Sequence, residues 1–378
     1  MALLTEEQVM VRDAARAWTQ EQSPVTAFRK MRDSGQPLGY EPAAYAEMCE
    51  MGWAGVVIPE AYGGSDLGYL TLGLILEEAG RTLAASPLLS SALACASAIV
   101  RGGTEAQKQA HLPAIASGEL VAALAVDEGP RHAPERIALK AAKSGDGYVL
   151  NGDKTFVLEA MAAGLLVVAA RTSGNVGDAK GVTLFLVAAD AAGVDRRPLQ
   201  LADSRGAADI GFKDVKVGAE AVLGAEGEGA ALLEATLDRA RAGLCAEMLG
   251  MSLAAFELTL DYLRTRVQFG QVIGGFQALQ HRAAKMYGDL ELARSCAEAA
   301  LSACDRDADD VAELVSVAKV KVGETLFNIS NELIQMHGGI GMTDAHDAGL
   351  YLKRARSVEA AFGNRAYHRD RFARLNGF

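Results

Sequence analysis

Proline disappears from the last 180 residues of this 378-residue chain: none of the nine lies beyond Pro198. Proline breaks helix interiors, so its absence over that stretch permits long uninterrupted helices. Cysteine is also scarce. Cys49, Cys95, Cys245, Cys296 and Cys304 are odd in number, scattered, and form no C-x-x-C pair, which indicates neither a disulfide framework nor a zinc site. No metal site is expected elsewhere, because His281 and His337 have no second ligand at metal spacing. Positive charge is in deficit, with 37 Lys and Arg against 48 Asp and Glu and a net charge of −11. That balance argues against a nucleic-acid binder, which presents a basic face, but leaves room for an anionic ligand held by a few arginines. No apolar run reads as long enough to span a bilayer, so no membrane span is expected. The opening Thr5-Glu-Glu-Gln8 reads as a helix entry with a capping box rather than a signal peptide, and a cytoplasmic location is expected.

What is present is ordinary globular composition, 50% hydrophobic and 22% charged, over a length that suits two or three packed units. Segments 5–20, 42–51, 68–82, 88–102 and 105–116 read as helices, separated by turn material such as Ile58-Pro-Glu-Ala-Tyr-Gly-Gly64. The middle differs. Short Val- and Leu-rich runs at 120–126, 148–150, 165–170 and 182–187 read as strands, and Ser144-Gly-Asp-Gly147 and Asn151-Gly-Asp153 both carry hairpin-turn chemistry. Residues 229–268 and 276–303 are rich in good helix formers, with glycine breaks at 269–275 and 337–341. The expected architecture is α+β, mostly α: an N-terminal helical domain (1–117), a small middle β domain (118–223) and a C-terminal four-helix bundle (224–378).

Three segments carry candidate chemistry. Gly224-Ala-Glu-Gly-Glu-Gly229 enters a helix, but two carboxylates inside it would repel a phosphate, so it reads as a connection. Arg264-Thr-Arg-Val-Gln-Phe-Gly270, followed by Gly275-Phe-Gln-Ala-Leu-Gln-His281, offers guanidinium, amide and aromatic groups at a break between helices. Arginine suits a diphosphate and phenylalanine an aromatic ring, yet a surface Arg beside a core Phe explains the pattern equally well. Gln335-Met-His-Gly-Gly-Ile-Gly341 ends a helix, and paired glycines there usually mean only a C-cap.

Taken in order, the motifs resemble the acyl-CoA dehydrogenase family over nearly the whole chain. They are Gly52-Trp53, Ile58-Pro-Glu60, Tyr62-Gly-Gly64, Gly80-Arg81, Gly103-Thr-Glu-Ala-Gln-Lys108, Leu112-Pro113, Ser117-Gly-Glu119, Asn151-Gly-Asp-Lys154, Arg266-Val-Gln-Phe-Gly270, Phe276-Gln277 and Gln335-x-x-Gly338-Gly339. Each is weak and the ordered set is specific. The resemblance implies FAD as cofactor, an acyl-CoA substrate, and an electron acceptor such as an electron-transfer flavoprotein. A carboxylate would remove the α-proton while the β-hydrogen leaves as hydride to the flavin, giving a 2-enoyl-CoA. It also implies that each flavin's ADP half is contacted by a neighbouring subunit. By match, the contributing residues are Arg266, Gln268, Phe269, Phe276, Gln277, Gln335, Gly338 and Gly339, and Arg241 matches an arginine near the substrate pocket.

The departures concentrate on the chain's own flavin and base site. Glu359-Ala-Ala-Phe-Gly-Asn364 puts Phe362 where the family's catalytic glutamate stands, and the alternative base address is Ala240. Val126-Asp-Glu-Gly-Pro-Arg-His-Ala133 replaces Thr-Glu-Pro-x-Ala-Gly-Ser-Asp, and Phe156-Val-Leu158 replaces Trp-Ile-Thr. Two carboxylates are weak substitutes for the base, Glu247 on the same helix face as Ala240 and Glu359 almost one turn before Phe362, and both read better as structural or solvated. Three readings follow. The first is a catalytically degenerate subunit of a heteromer, lending its intact ADP-side face to a paralogue, by analogy with bacterial steroid side-chain degradation. The second is a self-sufficient homo-oligomer with an atypical base. The third is a non-enzymatic acyl-CoA-binding scaffold.

Overall fold

Helix starts where the sequence caps it. In this computed structural model, which describes residues 4–378, Thr5 Oγ1 accepts from Gln8 N (3.2 Å) and Gln8 Oε1 accepts from Thr5 N (3.1 Å), opening α1 (Glu6–Glu21). There follow α2 (Val25–Ser34), α3 (Pro42–Glu50), α4 (Gly68–Arg81), α5 (Ala96–Gly102) and α6 (Glu105–Ala116). The sequence reading does not anticipate α2, whose buried apolar anchors are only Phe28 and Met31. A buried π-helical stretch, Leu88–Cys95, runs directly into α5.

Eight strands form one mixed sheet: β1 (Ala122–Ala125), β2 (Lys140–Ser144), β3 (Gly147–Leu158), β4 (Leu165–Arg171), β5 (Val182–Ala188), β6 (Val194–Pro198), β7 (Ala207–Val217) and β8 (Val222–Leu223). The order is β6-β7-β3-β2-β4-β5-β8, with β1 parallel to β4. The hairpin at Ser144-Gly-Asp-Gly147 forms as expected, with Ser144 paired to Gly147. The second expected turn does not. Asn151-Gly-Asp153 lies inside β3 at a register shift against β7, where Gly152 adopts φ +144°. A glycine in a strand marks a bulge as readily as a turn. Here Asn151 Oδ1 accepts from Asp214 N (2.9 Å) and fastens the bulge to β7.

The proline-free stretch forms five α-helices: α7 (Gly229–Thr265), α8 (Gln277–Asp305), α9 (Val311–His337), α10 (Ala348–Ala360) and α11 (Arg365–Leu375). The central α9 packs α8, α10 and α11, in the helical C-terminal domain that the sequence leads one to expect. Between α7 and α8 sits a small hairpin, β9 (Val267–Gln268) and β10 (Gln271–Val272). α7 is the one described helix long and apolar enough to cross a bilayer, but 72% of its most apolar stretch is buried within the protein.

The chain divides into two compact units. One gathers the residues up to Arg29, Gly73–Ala84 and Arg241–Phe378; the other gathers Lys30–Leu72 and Ala85–Ala240. In the first unit α4 crosses α7 backbone to backbone: a Cβ on Gly80 would meet Glu247 O at 2.1 Å, and one on Gly250 would meet Glu77 O at 1.8 Å. Only glycine allows that approach. The core of the second unit is the sheet interior, including Leu150, Leu166, Val168, Phe185 and Ile210.

Candidate cofactor and base sites

The ADP-side candidates come together in the first unit. α7 ends at Thr265, and Arg266 N donates to Tyr262 O (2.9 Å) to close its last turn. The β9–β10 hairpin then turns through Phe269 (φ +53°) and Gly270 (φ +79°), the left-handed pair that a tight two-residue turn requires. Phenylalanine is a poor choice there, and its ring is 89% exposed. A strained, unburied aromatic is an unfavourable arrangement that persists when something else uses it. Phe276 meets it edge to face at 6.1 Å, while Arg266, Gln268 and Gln277 are exposed around it. At the end of α9, Gln335 is exposed and Gly338 adopts φ +62°, a conformation that favours glycine. No atom lies within 4 Å of where a Cβ on Gly338 or Gly339 would stand, so the backbone is open to close approach.

The base address is also in this unit, and it is held with care. α10 ends at Ala360, leaving C-terminal carbonyls without helical donors. Three side chains from three helices supply them. Lys319 Nζ (α9) donates to Ala361 O at 2.9 Å and Val358 O at 3.4 Å. Arg241 Nε (α7) donates to Phe362 O at 3.1 Å, and His368 Nε2 (α11) lies 3.1 Å from the same oxygen. Cations at a helix C-terminus are stabilising, and here they fix Phe362 at φ +55°. Arg241 is 0% exposed and also reaches Tyr367 Oη at 3.3 Å. The structure therefore puts this predicted substrate-side residue beneath the turn. Burial pulls the Lys319 ammonium down to about 8 and pushes the His368 imidazole far below its usual range, with Arg241 adding to both shifts. At the second base address Ala240 is fully buried.

Glu247, one of the weak substitutes, is 3% exposed and pairs with buried Arg354 at 3.5 Å. Arg354 in turn lies 5.2 Å over the Phe28 ring.

In the second unit, the segments matching the flavin cradle are built on carboxylates. Asp127 Oδ1 accepts from Ala133 N (3.2 Å), and Asp127 Oδ2 lies 2.9 Å from His132 Nδ1. Glu128 accepts from Ala138 N (2.8 Å), Leu139 N (2.9 Å) and the fully buried Lys154 Nζ (2.7 Å). Asp209 Oδ1 accepts from Thr155 Oγ1 (2.5 Å) and Phe156 N (3.2 Å), holding Phe156 at φ +54°. The backbone amides of Ala133 and Phe156 and the Thr155 hydroxyl are thereby engaged inside the segment. Leu158 is buried and Arg131 exposed.

Several of these residues escape sequence reading. Lys319 left one signal, a lone lysine in the apolar helix run Val315-Ser-Val-Ala-Lys-Val320. Asp209 left none, because its partners Thr155 and Phe156 are remote in sequence, and His368, six positions from Phe362, belongs to no motif.

Comparison with known proteins is consistent across the chain. The family models for the acyl-CoA dehydrogenase N-terminal, middle and C-terminal domains match residues 5–119, 131–215 and 227–375. Isovaleryl-CoA dehydrogenase of Pongo abelii is 32% identical over 95% of this chain and 86% of its own. Butyryl-CoA dehydrogenase from Megasphaera elsdenii superposes with a TM-score of 0.92 at 25% identity, covering 100% of this chain and 99% of that one. The Tcur3481-Tcur3483 steroid ACAD gives 0.89 at 30% identity and 98% of both chains. The chain belongs to the acyl-CoA dehydrogenase family, FAD-binding oxidoreductases that act on CH–CH donors.

Proposed function

We propose that this chain is a catalytically degenerate subunit of a heteromeric acyl-CoA dehydrogenase. An intact paralogue holds the flavin ring and the base, and this chain contributes contacts to the ADP half of the partner's FAD. The assembly converts an acyl-CoA to its 2-enoyl-CoA and passes electrons to an acceptor such as an electron-transfer flavoprotein. Residues 1–117, 118–223 and 224–378 are its three domains. The observation that carries the reading is a contrast in how residues are used. Phe269, Arg266, Gln335 and the open Gly338–Gly339 backbone are presented outward at some conformational cost. The turn at the base address, equally well held, presents Phe362, which takes no proton.

Bound FAD supplies the hydride acceptor. Its ADP portion fits the first group: Arg266 for a diphosphate, Phe269 and Phe276 for an aromatic face, and glycine backbone for close contact. Its ring edge does not fit the segment at 126–133 and 155–158, where the amides of Ala133 and Phe156 already donate to Asp127 and Asp209. Burial of Glu247 against Arg354 supports the degenerate subunit over a self-sufficient enzyme. Similarity to the Tcur3481-Tcur3483 steroid ACAD supports a two-chain assembly. Arg241 acts, in this reading, through the turn it holds.

The test is co-expression with an intact family member followed by a flavin spectrum. The expected result is a yellow complex with the partner and a colourless chain alone. Stoichiometric FAD on this chain by itself would remove the reading.

A further inference from the structure

The two ADP-side segments are far apart in sequence, and the structure connects them through three rings. Tyr262 lies on the last turn of α7, and its carbonyl accepts from Arg266 N. Its ring stacks on His337, with centroids 4.2 Å apart and planes at 30°. His337 is the last residue of α9, 4% exposed, and its Nδ1 lies 2.7 Å from Leu333 O. His346 packs against the same imidazole, with centroids 4.3 Å apart and planes at 45°. His346 Nδ1 accepts from Ala348 N (3.1 Å) at the start of α10. The glycine turn is pressed against the base of the His337 side chain: a Cβ on Gly341 would stand 3.0 Å from His337 Cβ and 3.0 Å from Ile334 O.

We infer that Tyr262, His337 and His346 are positioning residues, a ring stack that sets the Arg266 hairpin and the Gly338–Met342 turn at a fixed spacing for one shared ligand. This rests on the ADP-side reading above, and it adds what makes two separate segments a single face. Each polar atom placed above is spent locally. His337 faces the Leu333 carbonyl, His346 caps α10, and the nearby Asp344 and Asp347 are held by Arg29 of α2. The rings thus connect by their faces, and a change at residue 262 is transmitted to the turn 76 positions later through contact alone.

The experiment is hydrogen exchange on the full-length chain without added FAD, paired with FAD retention in the co-expressed complex. Tyr262→Leu should speed exchange across 338–347 by about tenfold, the order expected for losing an aromatic contact, and Tyr262→Phe should restore it. His337→Leu should speed exchange in 266–272 by a similar factor. FAD retention should fall with Tyr262→Leu and recover with Tyr262→Phe. Exchange changes confined to the mutated residue's own segment would overturn the stack, whatever the flavin does. Coupled exchange with FAD retention unaltered, and unaltered in Arg266→Ala as well, would leave the rings in place and overturn the ADP-side reading on which their role depends.

Discussion

Lys319→Met tests the clamp beneath Phe362 through its dependence on pH. The Lys319 ammonium is 2% exposed and donates to the Val358 and Ala361 carbonyls. Burial, with the charge of Arg241 in support, pulls its pKa from 10.5 to about 8, against the opposing pull of Cys245 and Glu359. Between those values the unfolded chain carries a proton that the folded chain lacks. Stability therefore rises with pH across that window, and the burden of the buried charge is felt in full below about pH 8. A separation of about 2.5 units corresponds to about 3 kcal/mol. Methionine fills similar space and carries no proton. At about pH 7 the variant loses two hydrogen bonds and escapes the charge, so the two effects nearly cancel. By about pH 10.5 only the lost hydrogen bonds remain, and wild type should have gained about 3 kcal/mol on the variant. Urea midpoints of both proteins across that range supply the difference, from which ionisations common to both drop out. A difference that stays flat would refute a dehydrated ammonium under the turn.

Three further outcomes follow from the same geometry. Arg266→Ala and Gln335→Ala should each weaken FAD retention in the co-expressed complex roughly tenfold or more, the effect of removing a hydrogen-bond partner from a charged group; full occupancy in the double variant after dialysis would contradict this. Glu247→Leu and Arg354→Met should each destabilise the chain by about 3–5 kcal/mol, because each takes an ion-pair partner from a buried charge, and the double variant should recover most of the loss. Additive losses in thermal melts would count against that account. Phe362→Glu should create no acyl-CoA dehydrogenase activity in the isolated chain, since a restored carboxylate does not free the donors consumed by Asp127 and Asp209. Turnover by this variant would show that the cradle is competent.

Much of the helical framework was legible because its signals are local. The capping box at Thr5 and Gln8, the proline-free stretch after Pro198 and the glycine breaks each act within a few residues. The strand at Asn151-Gly-Asp153 was not, since a turn dipeptide and a strand bulge share the same glycine, and only the pairing partner Asp214 decides between them. β6, β7 and β8 were missed for a related reason. They are polar, mixed or very short, and their identity comes from pairing, β7 with β3, β6 with β7 and β8 with β5. At the candidate sites, motif residues such as Arg266 and Gln335 were legible as chemistry, and Phe362 and Ala240 as its loss. The support beneath them was not. Lys319, His368, Tyr262 and Asp209 act on groups 42, 6, 75 and 54 positions away, and no local pattern announces such contacts.

The central claim is that this chain presents one half of a flavin site and lacks the other, and FAD stoichiometry tests it most directly. Purified with an intact paralogue, the complex should hold one FAD per heterodimer, and the chain expressed alone should hold little or none. A yellow homo-oligomer of this chain with one FAD per subunit, active on an acyl-CoA, would contradict the account and leave a self-sufficient dehydrogenase in its place.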